Sequence, residues 1–396
     1  MKKTVLREYA KLIAKAGANV QKGQEVFITA ELDQPEFVAM VVDECYKLKA
    51  KKVVVDWSYQ PLTKLHVRYR SVKTLSTLDN YEEARWQHYV DTIPCRIYLI
   101  SEDPDGLRGV NQEKMAKSQQ AKYPIIKGYR DQIENKYQWC IAAVPGEKWA
   151  KKLFPELRAS QAVEKLWEAI LKTSRVTDDP IKAWEDHNRD LHDRCEYLNK
   201  LHIRELRYKS SNGTDFTVGM IPEAQFCGGG ETSLQGIFFN PNIPTEECFI
   251  SPMRGVAEGI VYATKPLSYQ GQLIDGFWIR FHEGKAVEWH AEENNELLTK
   301  LIEMDEGSRY LGECALVPFD SPINQTGLLF YNTLFDENAC CHLALGMGFA
   351  DTIQDFQNKT LEECRALGVN DSMIHEDFMI GCNSMNIDGI CEDGKV

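Results

Sequence analysis

The sequence predicts an α/β fold of two domains, in which a mostly parallel sheet covered by helices precedes a mixed α and β region. Three observations lead to this prediction. The chain has 396 residues, and at roughly 150 residues per domain this length favours two domains. Strand and helix signals alternate in the first half, whereas hairpin signals dominate after about residue 200. We therefore expect an N-terminal doubly wound α/β domain over residues 1–195 and a C-terminal mixed α/β domain over residues 196–396.

The first half begins with a helix and continues with strands and helices in alternation. Apolar side chains recur at helical spacing in residues 1–17, which indicates the first helix of the fold. A strand at 25–30, a helix at 34–50 and a β-branched strand at 51–57 have the order of a βαβ unit. Residues 95–101 and 137–145 are apolar runs typical of further buried strands. Together they predict a mostly parallel sheet.

Helices and then hairpins follow. Residues 160–174 and 179–201 have helical periodicity, and the second segment starts with acidic residues and a proline, as helices often do. Segment 203–220 turns at an Asn-Gly pair and segment 277–291 turns at a Glu-Gly pair, and both are predicted to be β-hairpins.

The composition narrows the function classes. The chain is 43% hydrophobic and 27% charged and carries a net charge of -13, so we expect no nucleic-acid partner. No apolar run approaches the ~20 residues of a membrane span, so no membrane association is expected. The twelve cysteines form no CxxC pair, and with no export signal in the sequence this predicts reduced thiols and a cytoplasmic protein. No glycine-rich phosphate-binding motif follows a predicted strand.

One apolar strand contains a histidine and a carboxylate two positions apart. In the stretch SMIHEDFMIGC, His375 and Asp377 share one face of the strand about 6.7 Å apart along the backbone, because successive side chains alternate between faces. An unpaired buried carboxylate is too costly to persist, so Asp377 requires a cation. A metal ion, a Lys or Arg partner, or a simple His–Asp hydrogen bond would each satisfy it.

Three other segments carry potential metal ligands. Glu246 and Glu247 lie between a proline turn and an apolar segment, and Glu313 lies at the start of an apolar strand. His342 follows in a run of small residues, which we expect to form a helix with Asp336 as its N-cap. Each residue alone has an ordinary structural explanation, as a solvated acid pair or a hydrogen-bonded core histidine.

Taken together, these segments offer two histidines and three carboxylates and no thiolate. Such hard and borderline ligands suit two divalent ions that share carboxylates and activate a water, as in aminopeptidases and phosphatases. An alternative is the two-histidine, one-carboxylate Fe(II) site of a ring-cleaving dioxygenase. Glu247 and Glu313 would be superfluous for one iron and are needed for two hydrolytic ions.

Five motifs in the second half also resemble those of a known family. The stretches are NIPTEE, KPLSYQGQLI, LGECALVP, LFYNTLFDENACCHLALG and IHEDFMIG, and they are similar to the motifs of the thermophilic metallo-aminopeptidases of the aminopeptidase T type. The resemblance implies a cytoplasmic homodimer that removes N-terminal residues from peptides with a free N-terminus, using two divalent ions (Zn, Co, Mn or Mg). By position it implies the metal ligands Glu247, Glu313, His342, His375 and Asp377.

The resemblance also implies catalytic residues, with one departure from the family pattern. Glu313 is expected to shuttle the proton of the activated water. The family has a tyrosine seven residues after the ligand histidine, and this sequence has Phe349 there. Loss of a hydroxyl that stabilises a developing oxyanion can cost ~10²–10³ in rate. We therefore expect a slow enzyme, a substitute hydroxyl such as that of Tyr331, or a catalytically weak metal or peptide binder.

Overall fold

The computed structural model describes residues 1–396. The chain forms two compact units. The first unit comprises residues 1–189 and 229–245, and the second comprises residues 190–228 and 246–396. The expected domain boundary at residue 195 stays a prediction.

The helices and strands are numbered separately along the chain. The helices are α1 Lys3–Leu12, α2 Pro35–Lys47, α3 Gln60–Tyr69, α4 Val72–Ser76, α5 Asn80–Thr92, α6 Gln112–Ile133, α7 Glu147–Leu153, α8 Ala159–Thr173, α9 Pro180–Lys200, α10 Asn295–Ile302, α11 Thr333–Asp336 and α12 Leu361–Leu367. The first nine strands are β1 Glu25–Glu31, β2 Lys52–Ser58, β3 Cys95–Ile100, β4 Trp139–Ala143, β5 Ile203–Lys209, β6 Asp215–Met220, β7 Glu231–Thr232, β8 Phe238–Phe239 and β9 Asn242–Ile243. The other nine are β10 Cys248–Ile250, β11 Pro252–Tyr262, β12 Leu267–Tyr269, β13 Gln272–His282, β14 Lys285–Glu293, β15 Leu311–Leu316, β16 His342–Gly346, β17 His375–Met379 and β18 Asn386–Cys391.

The first unit is built on a five-stranded parallel sheet in the order β2-β1-β3-β4-β9. Aromatic side chains connect its helices, and Tyr9 of α1 stacks on Phe37 of α2 at 5.4 Å between ring centroids. On β1, Phe27 packs edge-on against Tyr89 of α5 at 4.9 Å. The predicted parallel α/β architecture is confirmed.

The second unit contains two antiparallel sheets. The larger has the order β12-β13-β11-β6-β5-β18, and β14 pairs with β13. Both predicted hairpins are present in it, as the pairs β5–β6 and β13–β14. The smaller sheet has the order β10-β15-β16-β17. The mixed α and β class expected for this half is therefore also confirmed.

The expected helix around His342 is wrong, because His342 begins strand β16. Asp336 does not cap a helix start but ends α11, and its carboxylate accepts hydrogen bonds from the backbone N–H groups of Phe330 and Asn332, at 2.7 and 3.0 Å. Strand β16 pairs with β15 on one side and β17 on the other. These pairings outweigh the helical propensity of its Ala and Leu residues, since strand formation depends on non-local contacts.

A glycine closes this strand at a point where no side chain fits. Gly346 has φ +101°, and a Cβ atom there would lie 2.2 Å from the carbonyl oxygen of Ile374. It is paired with His375 in the register of β16 and β17. The close approach of the two backbones at this point fixes where the first residue of β17 lies relative to β16.

None of the helices combines the length and the apolar composition that a membrane span requires.

Candidate metal centre

The small antiparallel sheet has one apolar face and one polar face. The residues that we call the core face belong to the large hydrophobic core of the second unit, and they include Cys248, Ile250, Cys314, Leu343, Leu345 and Phe378. The alternate positions form the ligand face, which carries Glu313, His342, His375 and Asp377, with Glu247 directly before β10. Strand periodicity thus brings all five sequence-predicted ligands to one side of one sheet.

The side chains of the ligand face converge on each other. His342 Nε2 lies 3.0 Å from Glu247 Oε2 and 3.5 Å from Glu313 Oε1. His375 Nε2 lies 3.2 Å from Glu313 Oε2 and 3.5 Å from Asp377 Oδ1. The potential ligand atoms form two groups, each within 4.8 Å, namely Glu247, Glu313 and His342, and Glu313, His375 and Asp377. Glu313 belongs to both groups and directs one oxygen toward each histidine.

Backbone carbonyl groups fix the orientation of both histidines. Nδ1 of His342 donates to the carbonyl oxygen of Cys340 at 3.2 Å, and Nδ1 of His375 donates to that of Met347 at 2.7 Å. A carbonyl oxygen only accepts, so Nδ1 carries the proton and Nε2 faces the carboxylates. Such a hydrogen bond behind a ligating imidazole is typical of metal sites in proteins.

The titration of these groups reflects their burial and mutual proximity. Burial alone would lower the pKa of His342, but the carboxylates of Glu247 and Glu313 hold that pKa well above its usual value. Burial also opposes a charged His375, and Asp377 and Glu313 raise its pKa well above the usual range. Burial raises the pKa of Glu247, while the two histidines outweigh burial and lower the pKa of Asp377. In the metal-free chain the imidazoles therefore act as the counter-charges of the carboxylates.

The residues of this face fit a divalent metal ion. His342 Nε2 and Asp377 Oδ1 are buried and make no hydrogen bond of acceptable geometry, although each lies within 4 Å of oppositely charged partners. This arrangement is expected of ligand atoms that point toward a shared ion position and not toward each other. Two imidazole nitrogens and several carboxylate oxygens are also the ligand types that zinc, cobalt and manganese accept.

Sequence reasoning missed one acidic residue at this face. Glu337 lies in the turn after α11 and is only 8% exposed. Burial raises its pKa well above the usual value, and its carboxyl group is hydrogen-bonded to that of Asp377. Its neighbours in the sequence, Asp336 and Asn338, are polar, so no local pattern distinguishes it from a solvated acid. Glu246, which the sequence marked together with Glu247, is buried but belongs to neither group of potential ligands.

The two expected catalytic aromatic residues lie in different surroundings. The partly buried ring of Phe349 lies 4.7 Å from the His375 imidazole between centroids and meets Phe249 edge-on at 5.6 Å. Tyr331 lies in the loop before α11 with a left-handed backbone (φ 55°), and its backbone forms a hydrogen bond with Asp336. Phe349 is thus in contact with a candidate ligand, while the catalytic role expected for Tyr331 stays a prediction.

The whole chain is similar to known proteins. Residues 2–396 match the thermophilic metalloprotease (M29) family. Aminopeptidase AmpS of Bacillus subtilis (strain 168) is 39% identical over 392 residues, which are 98% of this chain and 95% of that protein. Aminopeptidase T of Thermus aquaticus is 36% identical over 394 residues, with the same coverage. The solved structure of wild-type AmpT from Thermus thermophilus matches with a TM-score of 0.87 at 36% identity, covering 99% of this chain and 96% of that one.

Proposed function

This chain belongs to the thermophilic metalloprotease family M29 and is a metallo-aminopeptidase, and we propose that it uses two divalent ions to hydrolyse the N-terminal peptide bond of peptides. The observation that carries the two-ion proposal is the position of Glu313. Its two carboxylate oxygens point to different histidines and join two groups of potential ligands. A carboxylate shared in this way could hold two divalent ions close together, as two-metal hydrolase chemistry requires.

Each ion has a distinct set of proposed ligands. Glu247, Glu313 and His342 would hold one ion, and Glu313, His375 and Asp377 the other. When bound, divalent ions polarise the scissile carbonyl group and lower the pKa of the attacking water. The ligand chemistry accepts Zn, Co, Mn or Mg.

The residues of this face also suit the other parts of the reaction. Glu313 is our candidate for carrying the proton from the water to the leaving amine, since it is the carboxylate common to both groups. Cleavage at the end of a peptide and not within it is proposed from the family to which the chain belongs. The ring of Phe349 would cover His375 without supplying a hydroxyl group.

Two further properties are proposed on the family resemblance. We expect a homodimer and a cytoplasmic location. The thiol chemistry is consistent with a reducing compartment, because the twelve cysteines are all free.

Metal removal and elemental analysis test the proposal. Dialysis against a chelator should abolish hydrolysis of chromogenic amino-acid amides, and added Co²⁺ or Zn²⁺ should restore it. The far-ultraviolet circular dichroism should change little, because most of the core lies away from the ligand face. Elemental analysis of the reconstituted enzyme should give about two ions per chain.

Other outcomes of the same experiment identify the alternatives. Activity that persists after verified metal removal would refute the mechanism. One tightly bound iron per chain would favour the ring-cleaving dioxygenase, although Glu247 and Glu313 are superfluous there. Two bound ions without measurable hydrolysis would indicate a metal or peptide binder in which the loss of the family tyrosine at Phe349 is decisive.

A further inference from the structure

Hydrogen bonds connect the two edge strands of the small antiparallel sheet across its ligand face. Strands β10 and β17 are three strand spacings apart, or about 14 Å. Asn338 lies between them in the turn after α11, and its Oδ1 accepts a hydrogen bond from the backbone N–H of Glu246 at 2.7 Å. Its Nδ2 donates to Glu337 Oε1 at 3.1 Å, and the Glu337 carboxyl group is in turn hydrogen-bonded to Asp377.

The Asn338 side chain has only one orientation that satisfies its neighbours. It is fully buried, and besides Glu337 its Nδ2 donates to the carbonyl oxygen of Leu334 at 3.1 Å. Reversing the amide would place the NH₂ group against the Glu246 N–H and the oxygen against two acceptors. Ser321 also holds the backbone, since its hydroxyl donates to the carbonyl oxygen of Asn338 at 2.6 Å.

We propose that Asn338 is a positioning residue of the metal centre, which acts through Glu337 and the Glu246 backbone to fix the spacing between Glu247 and Asp377. The inference rests on the metal-dependent function proposed above. It concerns the two ligands that come from the sheet edges, one in each group around Glu313.

The edge ligands need this support more than the central ones do. Glu313 and His342 lie on β15 and β16, each of which is paired on both sides. Asp377 lies on β17, which pairs with a strand on one side only, and Glu247 precedes β10, which on its other side is bridged only between Phe249 and Cys227. The hydrogen bonds of Asn338 therefore connect the ends of two strands that each pair with only one other strand. Residues that orient metal ligands in this way typically change metal affinity by about 10–100-fold when they are altered.

Asn338→Asp is the direct test, with Asn199→Asp as its matched control. The carboxylate introduced at position 338 could still accept from the Glu246 N–H but could not donate to Glu337 Oε1 or to the carbonyl oxygen of Leu334. Asn199 makes an equivalent bridge in the same unit, since its Nδ2 donates to the carbonyl oxygen of Phe226 at 3.0 Å and its Oδ1 accepts from the Phe226 N–H at 2.7 Å. Neither Asn199 nor Phe226 belongs to a group of potential metal ligands.

The measured quantities are Co²⁺ affinity, by competition with a chelator, and the melting temperature of the metal-free protein. We expect Asn338→Asp to weaken Co²⁺ binding by about 10–100-fold, whereas Asn199→Asp lowers the melting temperature without changing Co²⁺ affinity. Equal Co²⁺ affinities in Asn338→Asp and wild type would overturn the inference. Wild-type protein that binds no Co²⁺ would overturn the proposed function itself.

If Asn338→Asp fails to fold, two variants of Glu337 test the same positioning role. Glu337→Gln keeps an oxygen for Asn338 and offers an amide donor to Asp377, so it should bind Co²⁺ within about threefold of wild type. Glu337→Ala breaks the connection and should lose about tenfold or more. If Glu337→Gln loses as much Co²⁺ affinity as Glu337→Ala, the carboxyl group itself is required and not its hydrogen bonds, and the positioning role is refuted.

Discussion

The two faces of the small antiparallel sheet come from the same strands but serve opposite purposes. On the core face, Leu343 and Phe378 are buried in an apolar cluster that stabilises the second unit. His342 and Asp377, which directly precede these two residues in the sequence, lie on the ligand face and are also buried but polar. Burying a charge is costly unless it is paired. The apolar contacts of the core face therefore have to offset the destabilising burial of polar groups on the ligand face. A single five-residue strand can therefore provide both core and site, because its side chains alternate.

The comparison predicts that substitutions on the two faces change different measured quantities. His375→Ala and Asp377→Ala each remove a proposed ligand and should reduce hydrolysis by about a thousandfold or more, together with metal content. On the opposite face, Phe378→Leu should lower the free energy of unfolding by about 1–2 kcal/mol and leave metal content unchanged. Activity assays, elemental analysis and urea denaturation measure the three effects. Full activity and full metal content in either ligand variant would show that the substituted residue is not a metal ligand.

The protonation of the two ligand-face histidines gives a further difference between the two faces. In the metal-free protein the carboxylates of Glu247, Glu313 and Asp377 hold the pKa values of both histidines well above the usual range, against the effect of burial. A metal ion needs neutral imidazoles and must displace these protons. Co²⁺ affinity should therefore rise between pH 6 and pH 8 by about tenfold per pH unit for each displaced proton. Calorimetry in two buffers of different ionisation enthalpy would count the released protons, and a flat pH profile would contradict the assigned protonation.

The parts of the fold that depend on local pattern were predictable. Buried parallel strands are continuous apolar runs, which is why β1 to β4 of the first unit were correctly located. The alternation of side chains in β17 placed His375 and Asp377 on one face, and their atoms lie 3.5 Å apart. Turn residues located both hairpins of the second unit.

The failures concern residues whose state depends on distant neighbours. The run of Ala, Cys and Leu around His342 is compatible with a helix, and only pairing with two strands elsewhere in the sequence makes it β16. Glu337 has no local signal that distinguishes it from a solvated acid, because its burial comes from tertiary packing beside Asp377 of β17. Asn338 was missed for the same reason.

Phe349 and Phe378 form a matched pair, because replacing either by tyrosine adds one hydroxyl group, near the ligand face in the first case and on the core face in the second. Phe349 is in contact with His375, so Phe349→Tyr should raise kcat and kcat/KM together by ~10-fold if the hydroxyl stabilises the transition state. Phe378→Tyr on the core face should instead destabilise the fold by about 1–3 kcal/mol, because the buried hydroxyl lacks a partner there. Kinetics and thermal denaturation of both variants give the answer.

The result also determines whether another hydroxyl has replaced that of the family tyrosine. If Tyr331 already supplies it, Phe349→Tyr should change kcat little and Tyr331→Phe should lower kcat. A destabilised Phe349→Tyr protein with unchanged turnover would show that this ring belongs to the core and not to the site.

Glu376 is the one acid on the core face of the small sheet. Glu376 alternates with His375 and Asp377, and burial, with Asp377 adding to it, raises its pKa to about 8. In the unfolded chain a glutamate has a pKa of ~4.3. Between this pKa and the folded-state pKa of about 8, the folded protein holds a proton that the unfolded chain has lost. The free energy of unfolding therefore falls as the pH rises through this range. Glu376→Gln removes this titration and should gain stability over wild type progressively from about pH 4 to pH 8, and by a constant amount above. The full difference between these pKa values corresponds to ~5 kcal/mol, so the melting temperature of the metal-free variant at pH 9 should exceed that of wild type by at least about 2–4 °C, the shift expected from ~1 kcal/mol, and at pH 4 the two should agree. A difference independent of pH would mean that Glu376 is ionised throughout, and that the core face tolerates a charge as the ligand face does.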